Sequence, residues 1–436
     1  MFINIRNMSQ NFPDKYKGWK VWSLKNHWLK LHIAPQLGGR IIQMEFNHYD
    51  FFFVNPGLEG KEPDAKLLNE YGPWLNFGGE KIWPAPQGWD SPEQWPGPPD
   101  PVFDGGKYSV TEPGDGNSNQ LRLTSMPDQY TGLQIVKDVL LSEDRSEVTV
   151  NATFINISDT PREWAVWPVF QMNTLNYSDE KRYRVICPVN PESQFEKGFK
   201  EMHGIVNNPQ YSVNDFGNLV VDYKYLVGKV GLDSNGNWVA FHDLKSGKVL
   251  VTTYEFQDHV SYPEGTSVQI WTQGKGMIYS RNRLKDFPDD FSTNPPYLEI
   301  ELLSPLYKLL PGESANFQYR ILAATIPRDT NVKLVNKTGI IAESLIAEIV
   351  GGKIRTRGRF GVFAKGSLKA RIFNSESPQE TKFEQEIVNE ATPFAGILID
   401  RQLDFEYQEN NSRYMLALDF YFNNVFSGSL DQTQIC

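Results

Sequence analysis

The chain has 436 residues, a formal net charge of -10, 40% hydrophobic residues and 13% aromatic residues. An acidic chain without basic clusters repels the phosphates of nucleic acid and of anionic membranes, so neither is an expected partner. The length exceeds one ordinary domain, and 34 Gly and 28 Pro beside 19 Tyr, 27 Phe and 11 Trp favour strands joined by turns over helices.

The N-terminal stretch Met1 to Lys20 is polar and shows no apolar leader. No run approaches the roughly 18 apolar residues of a membrane helix, and the protein reads as cytoplasmic. From Trp19 to Val54 the pattern is strand-like. Met44 and Phe46 alternate with Gln43 and Glu45 after the turn Gly38-Gly39-Arg40, and the cluster Phe51-Phe52-Phe53-Val54 is strand-sized. Arg40 offers a planar fork of donors suited to hydroxyls or carboxylates, or is an ordinary surface arginine after a tight turn.

Residues 71 to 106 are dense in Pro, Gly and Trp. Proline removes ladder donors, so the segment reads as a long ordered loop and not as a central strand. Within it, Gly78-Gly79 permit an unusual backbone path, and Glu80, Lys81 and Trp83 offer an acid, a base and a flat apolar face. Trp74, Trp89, Trp95 and Tyr108 extend that wall. The alternative is an aromatic cluster that only covers one end of a sheet.

From Tyr108 to Val335 strand follows strand, with Cys187 expected as a buried apolar thiol and the second cysteine, Cys436, as a free one. In Tyr297-Leu298-Glu299-Ile300-Glu301-Leu302 the alternation puts Glu299 and Glu301 on one face, roughly 7 Å apart at a strand rise of about 3.3 Å per residue. Two such carboxylates serve as acid or base when half-buried, or form a solvated polar face. None of the six histidines forms a metal motif. His259, in a Gln-Asp-His-Val-Ser-Tyr-Pro loop, is the candidate of interest. No phosphate-binding or nucleophile-elbow motif appears, so a nucleotide enzyme or a serine hydrolase has no support, and the expectation is neither cofactor nor metal.

After Ile326-Pro327 the character changes. Ile340 to Val350 reads as a short helix ended by Gly351-Gly352, and strand-like runs then return. The division expected is a large β domain over 1–330 and a small β-rich module over 337–436.

Taken in order, LGGRIIQMEF, FGGEKIWPAP, TGLQIVKDVLL, VNATFINISDTP and YLEIELLSPLYKLLPGES resemble segments of the galactose mutarotase-like superfamily, which includes aldose 1-epimerases and hexose-6-phosphate epimerases. The likeness spans roughly residues 20 to 328 and is nearest to a domain-of-unknown-function branch. It implies a β-supersandwich with a sugar groove on one concave face. It also implies that Glu301 or Glu299 takes the anomeric proton while a histidine protonates the ring oxygen. The histidine position aligns with Trp167, and an indole N–H is no general acid. Gln171 then becomes a hydroxyl ligand, with Lys81 or His259 as substitute acid. Three functions follow: a carbohydrate-binding protein that kept the groove, a sugar epimerase, or a scaffold acting through its C-terminal module. The sugar, its phosphorylation and the oligomeric state are not legible.

Overall fold

The computed structural model describes residues 13–64, 73–112, 119–178, 181–280, 283–407 and 413–436. The polar stretch before residue 13 and the first two residues of the Pro/Gly/Trp segment lie outside them. Among the described residues every regular element is a β-strand, apart from two short 3₁₀ turns at Pro56–Leu58 and Pro263–Gly265. The architecture is a mostly β sandwich of antiparallel sheets, as the sequence predicts. No described helix is long and apolar enough to cross a membrane.

Two large sheets dominate, one of 12 strands and one of 10. In the first, the strands Arg40–Phe46, Glu80–Ala85, Arg162–Asn173, Tyr297–Leu302, Val268–Thr272 and Gly228–Leu232 lie side by side. In the second, Lys248–Tyr254, Ser314–Thr325, Glu147–Asn156 and Leu133–Leu141 are consecutive neighbours. One core joins them: Ile82, Phe170 and Ile300 of the first sheet share it with Ile135, Val150 and Tyr319 of the second. Strand side chains alternate between faces. The even-numbered residues of those three first-sheet strands therefore point at the second sheet, and the odd-numbered ones point away from it.

Glu80–Ala85 corrects the reading of residues 71 to 106 as a loop without a central strand. It is six residues of strand placed between Arg40–Phe46 and Arg162–Asn173. Pro84 stands opposite Val166. The Val166 N–H donates to Ser304 Oγ at 2.8 Å, and the Val166 carbonyl accepts from the Ser304 N–H at 3.0 Å. Pro84 therefore occupies a non-hydrogen-bonded pair, where its missing N–H takes nothing from the ladder. On its other edge the strand meets Arg40–Phe46 only where Ile41 faces Glu80. The glycine pair before it is required by sterics. A Cβ on Gly78, at φ +98°, would stand 1.9 Å from the Phe53 carbonyl oxygen, and one on Gly79, at φ +77°, 2.6 Å from that of Ile41.

The helix expected over 340–350 is also corrected: Gly339–Val350 is a 12-residue strand paired with Lys353–Val362. Gly351 and Gly352 both have positive φ and form the two-residue hairpin turn between Val350 and Lys353. A long ladder from the neighbouring strand overrides the helical pattern of Ala, Glu and Leu.

Past residue 333 two four-stranded sheets enclose a second core that includes Leu345, Phe360, Leu368, Ile399 and Leu418. Ile340 and Phe363 belong to a further apolar cluster with Trp238, Val249, Val251 and Leu322 of the 10-stranded sheet. Cys187 is buried and Cys436 is exposed, both unbridged.

Candidate functional site

The outward, odd-numbered face of the 12-stranded sheet carries an unusual load. Apolar side chains are expected in the middle of so large a sheet, yet this face gathers charged and amide groups among tryptophans. Register shows how they meet. Gln171 pairs with Glu299 and Val169 with Glu301. Trp167 pairs with Trp83 and Val169 with Lys81. On the far side Glu301 pairs with Gln269 and Glu299 with Trp271, while Trp271 in turn faces Lys229.

The polar contacts are specific. Glu301 Oε2 accepts from the Trp167 indole N–H at 2.9 Å and from Lys229 Nζ at 2.9 Å. Glu299 Oε1 accepts from Gln171 Nε2 at 2.7 Å, and Lys81 Nζ lies 3.8 Å from it. Lys81 Nζ also stands 4.2 Å over the Trp83 ring and 5.4 Å from that of Trp74. Trp83 touches Trp167 at 5.4 Å, edge to face, and Trp95 at 5.2 Å. Lys229 Nζ is 4.9 Å from the Trp167 ring.

Lys81, Trp83, Trp167, Gln171 and the two carboxylates are nearly closed to water, whereas Trp74 is 37% exposed. Glu299 is 8% exposed and Glu301 1%, which excludes a solvated strand face. Four polar atoms of the cluster are buried with no hydrogen-bond partner among the described residues: Lys81 Nζ, Trp83 Nε1, Gln171 Oε1 and Glu301 Oε1. Two are donors and two are acceptors. Buried polar atoms in proteins are almost always satisfied, so four orphans within one cluster point to a polar ligand or ordered water.

Burial also changes proton affinities. It pushes the Glu299 carboxyl up to about 7, against the pull of Lys81 and with some help from the Glu301 charge. It lowers the Lys81 ammonium to about 8, against the pull of Glu299. Burial therefore brings the proton affinities of a carboxyl and an amine in one cluster toward each other.

This has a measurable consequence. Folded Glu299 holds its proton up to about pH 7, whereas its ordinary value is 4.5. Its contribution to stability is fully present below the ordinary value and is lost as pH rises through the folded one. Glu299→Gln removes that slope. Urea midpoints measured from about pH 5 to about pH 8 should therefore fall more steeply in the wild type than in Glu299→Gln, and parallel profiles would contradict the assignment. Lys81 acts on the alkaline side, where its contribution is lost as pH falls through about 8.

The residues singled out from sequence divide. Lys81, Trp83, Trp167, Gln171, Glu299 and Glu301 are brought together. Glu80 is not, because strand alternation turns it to the opposite face. There, between the two sheets, its carboxylate accepts from Lys137 Nζ and from the Tyr319 hydroxyl, and Lys137 also donates to the Gly39 carbonyl at 3.2 Å. Arg40 is fully buried, close enough to Lys81 for its charge to oppose that ammonium, and its Nε has no hydrogen-bond partner among the described residues. It donates to the Asp104 carboxylate, to the Asp104 carbonyl at 2.9 Å and to the Gly78 carbonyl at 3.0 Å, tying two loops together. His259 has a side chain 92% exposed in its loop, with Asp258 at 3.4 Å as its partner. Of the wall residues, Trp74 and Trp95 adjoin Trp83, Trp89 lies exposed, and Tyr108 packs under Gly39.

Sequence reasoning missed Lys229, Gln269 and Trp271, and with them His203, which pairs with Lys229 and whose ring lies 6.3 Å from that of Trp271. A lysine inside the apolar run Gly228–Leu232 was the available signal, since a mid-strand lysine needs a partner.

A family model described as "Domain of unknown function (DUF4380)" matches residues 20–322. Among solved structures the chain is similar to a galactose mutarotase-like protein from Lactobacillus casei ATCC 334, with TM-score 0.45, 10% identity, and coverage of 70% of this chain and 99% of that one. It is also similar to a galactose mutarotase related enzyme from Lactobacillus acidophilus, with TM-score 0.42, 11% identity, and coverage of 71% and 98%. A galactose mutarotase-like protein from Clostridium acetobutylicum gives TM-score 0.43, 11% identity, and coverage of 72% and 97%. No curated protein matches the chain.

Proposed function

The chain belongs to the family described as Domain of unknown function (DUF4380), and within it we propose that this protein binds a sugar ring on the outward face of its 12-stranded sheet. The observation that carries the reading is the set of four buried, unpartnered polar atoms in one tryptophan-walled cluster. A sugar hydroxyl both donates and accepts, so a polyhydroxylated ring satisfies Lys81 Nζ and Trp83 Nε1 as well as Gln171 Oε1 and Glu301 Oε1. Neither an apolar ligand nor a simple anion meets donors and acceptors together. Order along the chain of the mutarotase-like segments supports the same class of ligand.

The test is calorimetric titration of free hexoses, pentoses and their phosphates into the full chain. The reading predicts saturable binding of at least one of them, weakened by Gln171→Ala and by Glu301→Gln. Heats indistinguishable from dilution across the whole panel would sink it.

A second reading, sugar epimerisation, is favoured by one observation: Lys81 and Glu299 lie 3.8 Å apart with proton affinities near neutrality. In that reading a carboxylate, Glu301 or Glu299, takes the proton from the anomeric hydroxyl, and the Lys81 ammonium gives one to the ring oxygen. The bond between the anomeric carbon and the ring oxygen breaks, and reclosure on the other face gives the second anomer. Lys81 thereby fills the place of the absent histidine. Exchange between anomers, followed by NMR on any sugar that binds, decides the matter. A rate equal to that in buffer leaves a binding protein.

A further inference from the structure

A cavity of about 710 Å³ lies far along the chain from the tryptophan cluster, on the outer face of the C-terminal sheet built from Gly366–Asn374, Ser377–Ala391, Tyr414–Phe422 and Val425–Gln434. Strand alternation explains it. Leu368, Ala370, Ile372, Leu416, Leu418 and Phe420 point into the module's core. Their odd-numbered neighbours Arg371, Phe373, Asp419 and Tyr421 point the other way and line the cavity.

Its charges are already balanced. Arg371 Nε donates to Asp419 at 2.5 Å, and Lys369 Nζ donates to Glu384 at 2.8 Å. The Tyr421 hydroxyl donates to Glu384 at 3.0 Å. The flat groups are held in place. Lys369 Nζ sits 4.3 Å over the Tyr421 ring, the Arg371 guanidinium 4.7 Å over that of Phe373, and Phe426 stands 5.9 Å from Tyr421. Phe426 is nonetheless 53% exposed. The amides of Gln379 and Gln432 complete the lining. A site with no spare net charge, fixed rings and free amides suits neither a polyanion nor an apolar chain. Its volume falls in the range of about 300–1,000 Å³ typical of small-ligand sites.

We propose that this face of the C-terminal module is a second, independent binding site for a neutral oligosaccharide, stacked on the exposed Phe426 ring, which Tyr421 braces edge to face, and hydrogen-bonded by Arg371, Gln379 and Gln432. It shares no residue with the cluster on the 12-stranded sheet and stands if the reading of that cluster fails. Attached to one chain, the two sites let the module hold a glycan while the larger sheet engages a single ring.

Electrophoresis of the full chain through native gels containing soluble starch, xylan, hydroxyethylcellulose or galactomannan tests it. Retardation is expected in at least one gel. It should weaken about tenfold in Tyr421→Ala/Phe426→Ala, the scale of one lost stacking contact of about 1.4 kcal/mol, and stay unchanged in Glu301→Gln. Because Phe426 is exposed, Phe426→Ala alone carries the test if the double variant melts early. Retardation in none of the four gels, equal retardation of the aromatic variants, or loss confined to Glu301→Gln would overturn the proposal.

Discussion

Lys137→Met is expected to destabilise the protein by about 3–5 kcal/mol, read as a drop in urea midpoint and melting temperature. Lys137 donates to the Glu80 carboxylate between the two large sheets, where both side chains are essentially sealed from water. Burial alone pushes the Lys137 ammonium toward the neutral amine, and the Glu80 charge opposes it. With the lysine gone, a carboxylate is left in the inter-sheet core with only the Tyr319 hydroxyl as a side-chain donor. The charge and the desolvation penalty then stand uncompensated, which is costlier than having no pair at all. Glu80→Leu/Lys137→Met should therefore recover most of the loss, because it removes both charges and keeps the volume. A double variant no more stable than Lys137→Met would show that the pair is not the source of the effect.

Glu301→Gln is expected to weaken sugar binding about 100-fold, since a charged hydrogen-bond network of this kind contributes about 1.5–3 kcal/mol per bond. Glu301 holds the Trp167 indole and the Lys229 ammonium on one oxygen and leaves the other buried and unpartnered. Glutamine has the same shape, but only one of its two positions accepts. It cannot serve both donors and also receive a ligand hydroxyl, and Lys229 loses its counter-charge. Titration calorimetry of a sugar that binds the wild type measures the change, with Tyr421→Ala as a variant that touches only the C-terminal module. Equal affinity of Glu301→Gln and wild type would exclude Glu301 from the site.

The two carboxylates illustrate how far local pattern reaches. Alternation in Tyr297–Leu302 put Glu299 and Glu301 on one face, and the structure keeps them there. Whether that face was wet or dry depended on Trp167, Lys229 and Lys81, which lie 70 to 220 positions earlier in the chain and carry no local mark of their destination. Glu80 shows the converse. It lies next to Lys81 in sequence, and for that reason on the opposite face of the same strand, so proximity along the chain argued for the wrong company. Arg40 has the right chemistry for a ligand, yet both of its terminal nitrogens go to Asp104 and two carbonyls and only Nε is left without a partner, a closure visible only once the loop from 86 to 107 is folded back.

The same division runs through the fold. Composition, turn chemistry and period-two alternation determined that the chain is a mostly β sandwich, because those signals are written within a few residues of each other. Where ladders meet was decided by tertiary structure. Pro84 sits in a central strand because register gives it a non-hydrogen-bonded place, and Gly339–Val350 is a strand because Lys353–Val362 pairs with it. The candidate site follows the second rule. Its residue types were legible one strand at a time, but a buried acid–base cluster exists only when six strands lie side by side and exclude water, and that arrangement belongs to long-range pairing.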